Sequence, residues 1–391
     1  MSKNKTAYQN NIVPIYIKLA FFISALSFPF SSIAEELHYI TPSFVKTVTT
    51  PYEQFNDINP NWSVNGDTIS YERFDSVIHE IVLVDSYGKR VKRISTNASD
   101  DTDLSLLLPE INQAHYFSFN ISWSADSERY VFVSNGKTNN FDLYLGNTKD
   151  NNITRLTNHV AIDNQANWSP NADKLVFVSS RLGRANLHIY DIKSKTIRSI
   201  TDLNADTLNP TWSPDGNKIA FMHGEGNVYQ IFIVDDINNP KASLRQITDL
   251  PNNNNIRPSW SPDGSKIAFF TLDLQQTQQY WQIAVINDTS QSMITADILD
   301  QHIVSSQVIQ NSLNGPSWLP DNTHIAYVQY IDDHYNPIHL VNINNKKQGL
   351  VLTNTKMNRD VSCSANGTLA FQSQDEQWSR IFIAKLPGFK S

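Results

Sequence analysis

At 391 residues, with 40% hydrophobic and 18% charged residues and with eight Trp, fifteen Tyr and nineteen Phe, the chain carries enough apolar surface for a large folded core and is not a disordered polypeptide. Its formal charge of −7 argues against nucleic acid and anionic membrane surfaces as partners, because both are held through clustered Lys and Arg. The single cysteine, Cys363, excludes an internal disulfide, so packing and fold closure must supply the stability.

The first 34 residues stand apart. Lys3, Lys5 and Lys18 precede an apolar run, Leu19–Phe30, and Ser32-Ile33-Ala34 offers small residues at the two positions that a signal peptidase reads. The expectation is a secretory signal cleaved after Ala34, leaving a periplasmic domain over 35–391. The alternative is an uncleaved inner-membrane anchor. A run of 12 residues flanked by Lys18 and broken by Pro29 disfavours it, since about 20 apolar residues are needed to span a bilayer. No Cys follows the run, which excludes a lipid-modified mature N-terminus. Cleavage removes three lysines and no acid, so the mature charge is −10.

A strand-like segment, Val45-Lys-Thr-Val-Thr49, comes next, and then a repeat begins. Trp62, Trp123, Trp168, Trp212, Trp260 and Trp318 each stand in a common frame, clearest in Asn209-Pro-Thr-Trp-Ser-Pro-Asp-Gly-Asn-Lys-Ile-Ala-Phe221 and Arg257-Pro-Ser-Trp-Ser-Pro-Asp-Gly-Ser-Lys-Ile-Ala-Phe269. A seventh copy, Asp360-Val-Ser-Cys-Ser-Ala-Asn-Gly-Thr-Leu-Ala-Phe371, has Cys363 in place of the Trp. Nine residues after each Trp stands Tyr71, Phe132, Phe177, Phe221, Phe269 or Tyr327, with an apolar residue two positions earlier, which is the period of a strand. Ser213-Pro-Asp-Gly216 reads as a tight hairpin between the two strands: Pro presets φ, and Gly accepts the left-handed conformation.

A third strand follows in every unit, as in Leu187-His-Ile-Tyr-Asp191 and Gln230-Ile-Phe-Ile-Val-Asp235. A short fourth follows in six, as in Ile197-Arg-Ser-Ile-Thr201, Leu244-Arg-Gln-Ile-Thr248 and Met293-Ile-Thr295. The seventh unit lacks one, and Val45–Thr49 reads like the missing strand. A repeat of 40 to 50 residues in this form implies an all-β fold, a seven-bladed β-propeller of four-stranded antiparallel blades closed by the N-terminal strand, which hides the sheet edges.

At these residues the chain resembles the TolB-like propeller repeat, whose core is Pro-x-Trp-Ser-Pro-Asp-Gly followed by Lys-Ile-Ala-Phe. The likeness covers residues 45–384 and is complete at Pro210 and Pro258. It implies an interaction module serving the Tol-Pal envelope system through protein contacts. The same repeat builds the propellers of prolyl peptidases and polysaccharide lyases, so the fold alone does not fix the function. TolB itself has an α/β domain ahead of six blades, whereas seven units are counted here and about ten residues separate Ala34 from the closing strand.

The Trp spacings are 61, 45, 44, 48 and 58, then 45 to Cys363, and the two long ones place loops at Asn97–Ser118 and Ala296–Asn314 on one face, where binding usually resides. Three positions before each Trp, at the mouth of the channel on that face, stand Asn59, Asn120, Gln165, Asn209, Arg257 and Gly315, with Asp360 before Cys363. This ring of hydrogen-bonding groups suits an envelope protein or peptide, or alternatively a glycan; solvated strand starts would give the same polar pattern. Arg181 and Arg184, in a loop that resembles the TolB-like Ser-Asp-Arg-Ser-Gly segment, could pair with acidic groups of a partner.

Enzymatic readings find little support. The sequence has no Gly-x-Ser-x-Gly elbow, and its ten histidines occupy different repeat frames apart from His115 and His159, which are weak candidates for a metal pair in a lyase-type or carbohydrate-binding propeller. Asp100-Asp101-x-Asp103 reads as a solvated loop with Ca²⁺ as the alternative. Cys363 reads as a packed small hydrophobe. No cofactor, no catalytic residue and a monomeric state are the expectations.

Overall fold

The computed structural model describes residues 38–49, 55–74, 79–94, 117–136, 140–288, 293–296, 299–311, 313–374 and 377–388. The expected leader, the Asp100-Asp101-x-Asp103 run, His115 and nearly all of the Asn97–Ser118 loop lie outside them. The described chain is almost entirely β, with one four-residue helix at Leu299–His302, and none of its helices is long and apolar enough to cross a membrane.

Its building block is a four-stranded antiparallel propeller blade. In the third repeat the strands are Asp163–Trp168, Lys174–Ser179, Asn186–Asp191 and Ile197–Ser199, each paired with the next in chain order. The first, second and fourth repeats form sheets of the same order. The second strand is covered on both faces, so Leu-Val-Phe-Val (175–178) is a continuous buried run, while the first strand is only partly buried.

The Ser and Asp of the hairpin signature close the turn. Ser213 Oγ accepts the amide of Lys218 at 2.9 Å, and Asp215 Oδ1 accepts that of Asn217 at 3.1 Å. Gly216 holds φ at 74°, and its Cα side faces Pro170 of the preceding hairpin, where an added Cβ would sit 3.5 Å from Pro170 Cδ. Gly264 faces Pro214 in the same manner, and Gly66 faces Ser364 of the seventh repeat.

Four of the six repeat Trp side chains, Trp123, Trp212, Trp260 and Trp318, staple their sheet to the previous one through the indole. The indole Nε1 of Trp212 donates to Asn167 O at 3.1 Å, Trp260 to Thr211 O at 3.3 Å and Trp318 to Ser259 O at 3.2 Å. Trp212 is packed among Val176, Leu187 and Phe221, which spans the third and fourth sheets. Cys363 has no indole; its backbone amide donates to Ser317 Oγ at 2.9 Å, and burial pushes its thiol up to about 12, which suits packing and not nucleophilic chemistry.

The segment Phe44–Thr47 pairs antiparallel with Ser379–Lys385, with Val45 opposite Ala384. Thr49 Oγ1 accepts the Ile381 amide at 3.2 Å, as Thr157, Thr201 and Thr248 accept Leu143, Leu187 and Ile231 at 3.0, 2.8 and 2.9 Å in their own sheets. The seventh and first sheets share a core of Val48, Trp62, Ile69, Ile381 and Ile383. Beside it, Arg73 grips Asp57 at 2.7 and 3.1 Å with both side chains buried, and burial raises the Asp57 pKa against the pull of Arg73.

Three features depart from the sequence reading. Met293–Thr295 is not the fourth strand of the fifth sheet: Ile303–Ile309, inside the expected Ala296–Asn314 loop, takes that edge opposite Trp281–Asn287, because its seven residues can bury Val304 and Val308 where the shorter run can bury one side chain. Ile294–Thr295 pairs instead in parallel with Thr248–Asp249. The strand Ile303–Ile309 also continues onto His324–Gln329 of the sixth repeat, fusing two units into one nine-stranded sheet. Finally, His38–Ile40 adds in parallel to Gln348–Val351, admitted by Gly349, whose Cβ would lie 2.6 Å from Ile40 Cδ1.

Candidate functional site

The first strands of the repeats converge on one polar cavity of about 300 Å³. Asn59, Asn120, Gln165, Asn209, Arg257 and Gly315 all line it, so the structure brings these sequence-selected positions together. The backbone explains why they are polar. Asn59, Asn120, Gln165, Asn209, Arg257 and Asp360 all have φ between 47° and 54°, each within a bulge where the first strand slips against the second, for instance between Asn164 and Asn167. Asn tolerates this left-handed conformation, whereas Gln and Arg occupy it at a cost of about 1 kcal/mol.

Their partners knit the wall. Gln165 Oε1 accepts the Asn209 amide at 2.7 Å, and Glu72 Oε1 accepts the Asn120 amide at 3.1 Å. Asn59 Oδ1 is buried with no hydrogen-bond partner among the described residues. Asp360 is also buried and holds up the Arg257 charge, against a burial that lowers its pKa. Glu72, absent from the sequence reading, lies on the cavity wall, and its Oε2 meets His79 Nε2 at 2.8 Å. The signal for it was its place immediately after the aromatic Tyr71 of the second strand.

The sixth repeat breaks the pattern. Where other repeats place two residues between the paired halves of the first strand, this one places 310–316 between Ile309 and Ser317. Gly315 is not in the left-handed conformation of its counterparts; it is glycine because an added Cβ would lie 2.3 Å from Arg257 O and 2.9 Å from Ser259 Cβ.

The two loop arginines part company. Arg181 is bound to the buried carboxylate of Asp163 at 2.9 and 3.0 Å and lies over Phe177, so its charge is taken up within its own sheet. Arg184 is exposed, with Glu225 at 3.4 Å. His159 Nδ1 accepts the Ala161 amide at 3.0 Å, an intraloop role. Among the described residues no three His, Cys, Asp or Glu side chains are grouped as a metal site.

The family described as the TolB beta propeller domain matches residues 45–297. The chain belongs to that family. A curated relative, the Tol-Pal system protein TolB of Helicobacter hepaticus, is 48% identical over 46 residues, which is 12% of this chain and 11% of that protein. Among solved structures, an oligogalacturonate lyase in complex with manganese superposes with a TM-score of 0.62 at 13% identity, over 88% of this chain and 93% of that one. TolB from Acinetobacter baumannii gives 0.51 at 16% identity, over 77% and 67%. At such identities the TolB-family likeness in three dimensions speaks for the fold alone.

Proposed function

We propose that this chain is an exported, seven-bladed propeller, closed by its N-terminal strand, that binds an envelope protein or peptide at the central cavity. The closed ring is supported by Thr49, which repeats in the seventh sheet the contact made by Thr201 in the third, and by Gly66, which faces the hairpin of the seventh repeat as Gly216 faces that of the third. The observation that carries the function is the cavity itself: equivalent positions of successive repeats, mostly uncharged hydrogen-bonding groups, face one opening and include a buried acceptor, Asn59 Oδ1, that no described protein group satisfies. The association of a relative's name with the Tol-Pal system fits a partner in the envelope.

The experiment is a crosslinking pull-down from envelope extract with Asn59→Gly and Asn120→Gly. Glycine deletes the side chain and keeps the left-handed backbone, so folding is retained where alanine would add strain. The expected result is an unchanged melting temperature and at least a ~10-fold loss of partner capture, about 1.4 kcal/mol. Undiminished capture by both variants would refute the site. A glycan is the competing ligand, favoured by the scaffold shared with the lyase; a rise in melting temperature with galacturonate oligomers would support it over a protein partner.

A further inference from the structure

Part of the cavity wall is an insertion in the first strand of the sixth repeat. Residues 310–316 replace the two-residue bulge of the other repeats, and Asn311, Leu313, Asn314, Gly315 and Pro316 line the opening. Three of the contacts that hold this segment share one chemistry: wall side chains donate to its main-chain carbonyls. Asn209 Nδ2 reaches Leu313 O at 3.4 Å, Ser259 Oγ reaches Pro316 O at 2.7 Å, and Arg257 Nη1 donates to Asn311 O. Arg257 adds one side-chain contact, to Gln310 Oε1 at 3.0 Å. The donors come from the fourth and fifth repeats, far from the segment in sequence, and Asn311 Nδ2 in turn donates to Val361 O of the seventh at 3.2 Å. The segment carries no charge, and Gly315 lets it approach the backbone of Arg257 more closely than any other residue would.

A wall that reads carbonyls along an uncharged segment is a main-chain recognition surface. We propose that the cavity is a seat for an extended, uncharged peptide recognised through its backbone carbonyls, and that the inserted segment, through residues 310–311 and 313–316, is a built-in occupant which an incoming peptide displaces. This rests on the peptide-binding reading above and names the chemistry of its ligand. A tethered occupant competes at an effective concentration on the order of millimolar, so the native chain binds a free peptide weakly until the segment is removed.

The test uses a fluorescein-labelled synthetic peptide with the sequence of residues 309–317. It is titrated by anisotropy against the native chain and against a variant in which 310–316 is replaced by the Asn-Pro dipeptide found at Asn209-Pro210. The variant is expected to bind the peptide at least ~10-fold more tightly than the native chain. Arg257→Gly in the same background is expected to abolish binding. Should the replacement fail to fold, Gly315→Ala is the second variant: its added Cβ pushes the segment off the wall, and the same gain in peptide binding is expected. A folded variant that binds no peptide, or native and variant chains that bind it equally, would overturn the proposal. Partner capture that still depends on Asn59 and Asn120 in that case would leave the broader reading standing.

Discussion

The third repeat and the junction of the fifth and sixth repeats begin from the same sequence frame and end differently. In the third, Lys174–Ser179 and Asn186–Asp191 pair without a register shift, and the outer strand is fixed by Thr201, whose hydroxyl accepts the Leu187 amide and donates to Asn186 Oδ1 at 2.9 Å. At the junction, Trp281–Asn287 meets Ile303–Ile309 through two register shifts, and His339 Nδ1 is buried with no hydrogen-bond partner among the described residues. Where the short-range rules of turn and strand are kept, sequence neighbours decide the sheet. Where an insertion competes for an edge, burial decides it, and the regular register is lost.

The largest effect should come from breaking the regular region. Arg181→Met strands the Asp163 carboxylate in the core, and a loss of about 3–5 kcal/mol is expected in urea unfolding. At the junction the corresponding weakness is titratable. Burial pushes His339 down to about 4, so between pH 6.5 and 4 the unfolded chain takes up a proton that the folded chain refuses. Stability therefore falls as pH drops through that window and is unaffected by this group above it, by up to about 3 kcal/mol in all. His339→Phe should flatten this part of the pH–stability curve, and an unchanged slope would assign it to other groups, such as the buried His188, whose pKa is also lowered.

Gly315→Ala tests how tightly the insertion is seated: a loss of about 1–3 kcal/mol is expected from the clash with Arg257 O. The smallest effect separates the two loop arginines. Arg184→Ala should alter stability by less than about 0.5 kcal/mol, since its pair with Glu225 is open to solvent, and a cost near that of Arg181→Met would contradict the assignment.

Much of this was legible in the sequence because the repeat writes its own hydrogen bonds. Trp212, Phe221 and Gly216 fix a strand, its neighbour and the turn between them by local contacts, so six of the ring positions could be selected by counting back from Trp or Cys. Their polarity was legible too, but not its cause, since a left-handed bulge depends on how the first strand slips against the second. The edge taken by Ile303–Ile309 was hidden because Met293–Thr295 carries the better local pattern, and only three-dimensional packing shows that Val304 and Val308 have more to bury. The reach of Arg257 to Gln310 and Asn311 links residues more than 50 apart and leaves no trace in either local motif.

In the proposed ring the N-terminal strand closes the last sheet, and pairing of Val45 with Ala384 reports on that closure most directly. Opposed residues on adjacent antiparallel strands have Cβ atoms about 4.5–5.5 Å apart, close enough for a disulfide with a small backbone adjustment. In a Cys363→Ser background, Val45→Cys with Ala384→Cys should form an intramolecular disulfide under mild oxidation, with a rise in melting temperature that reduction reverses. Two free thiols in a folded chain, or crosslinking only between molecules, would contradict it.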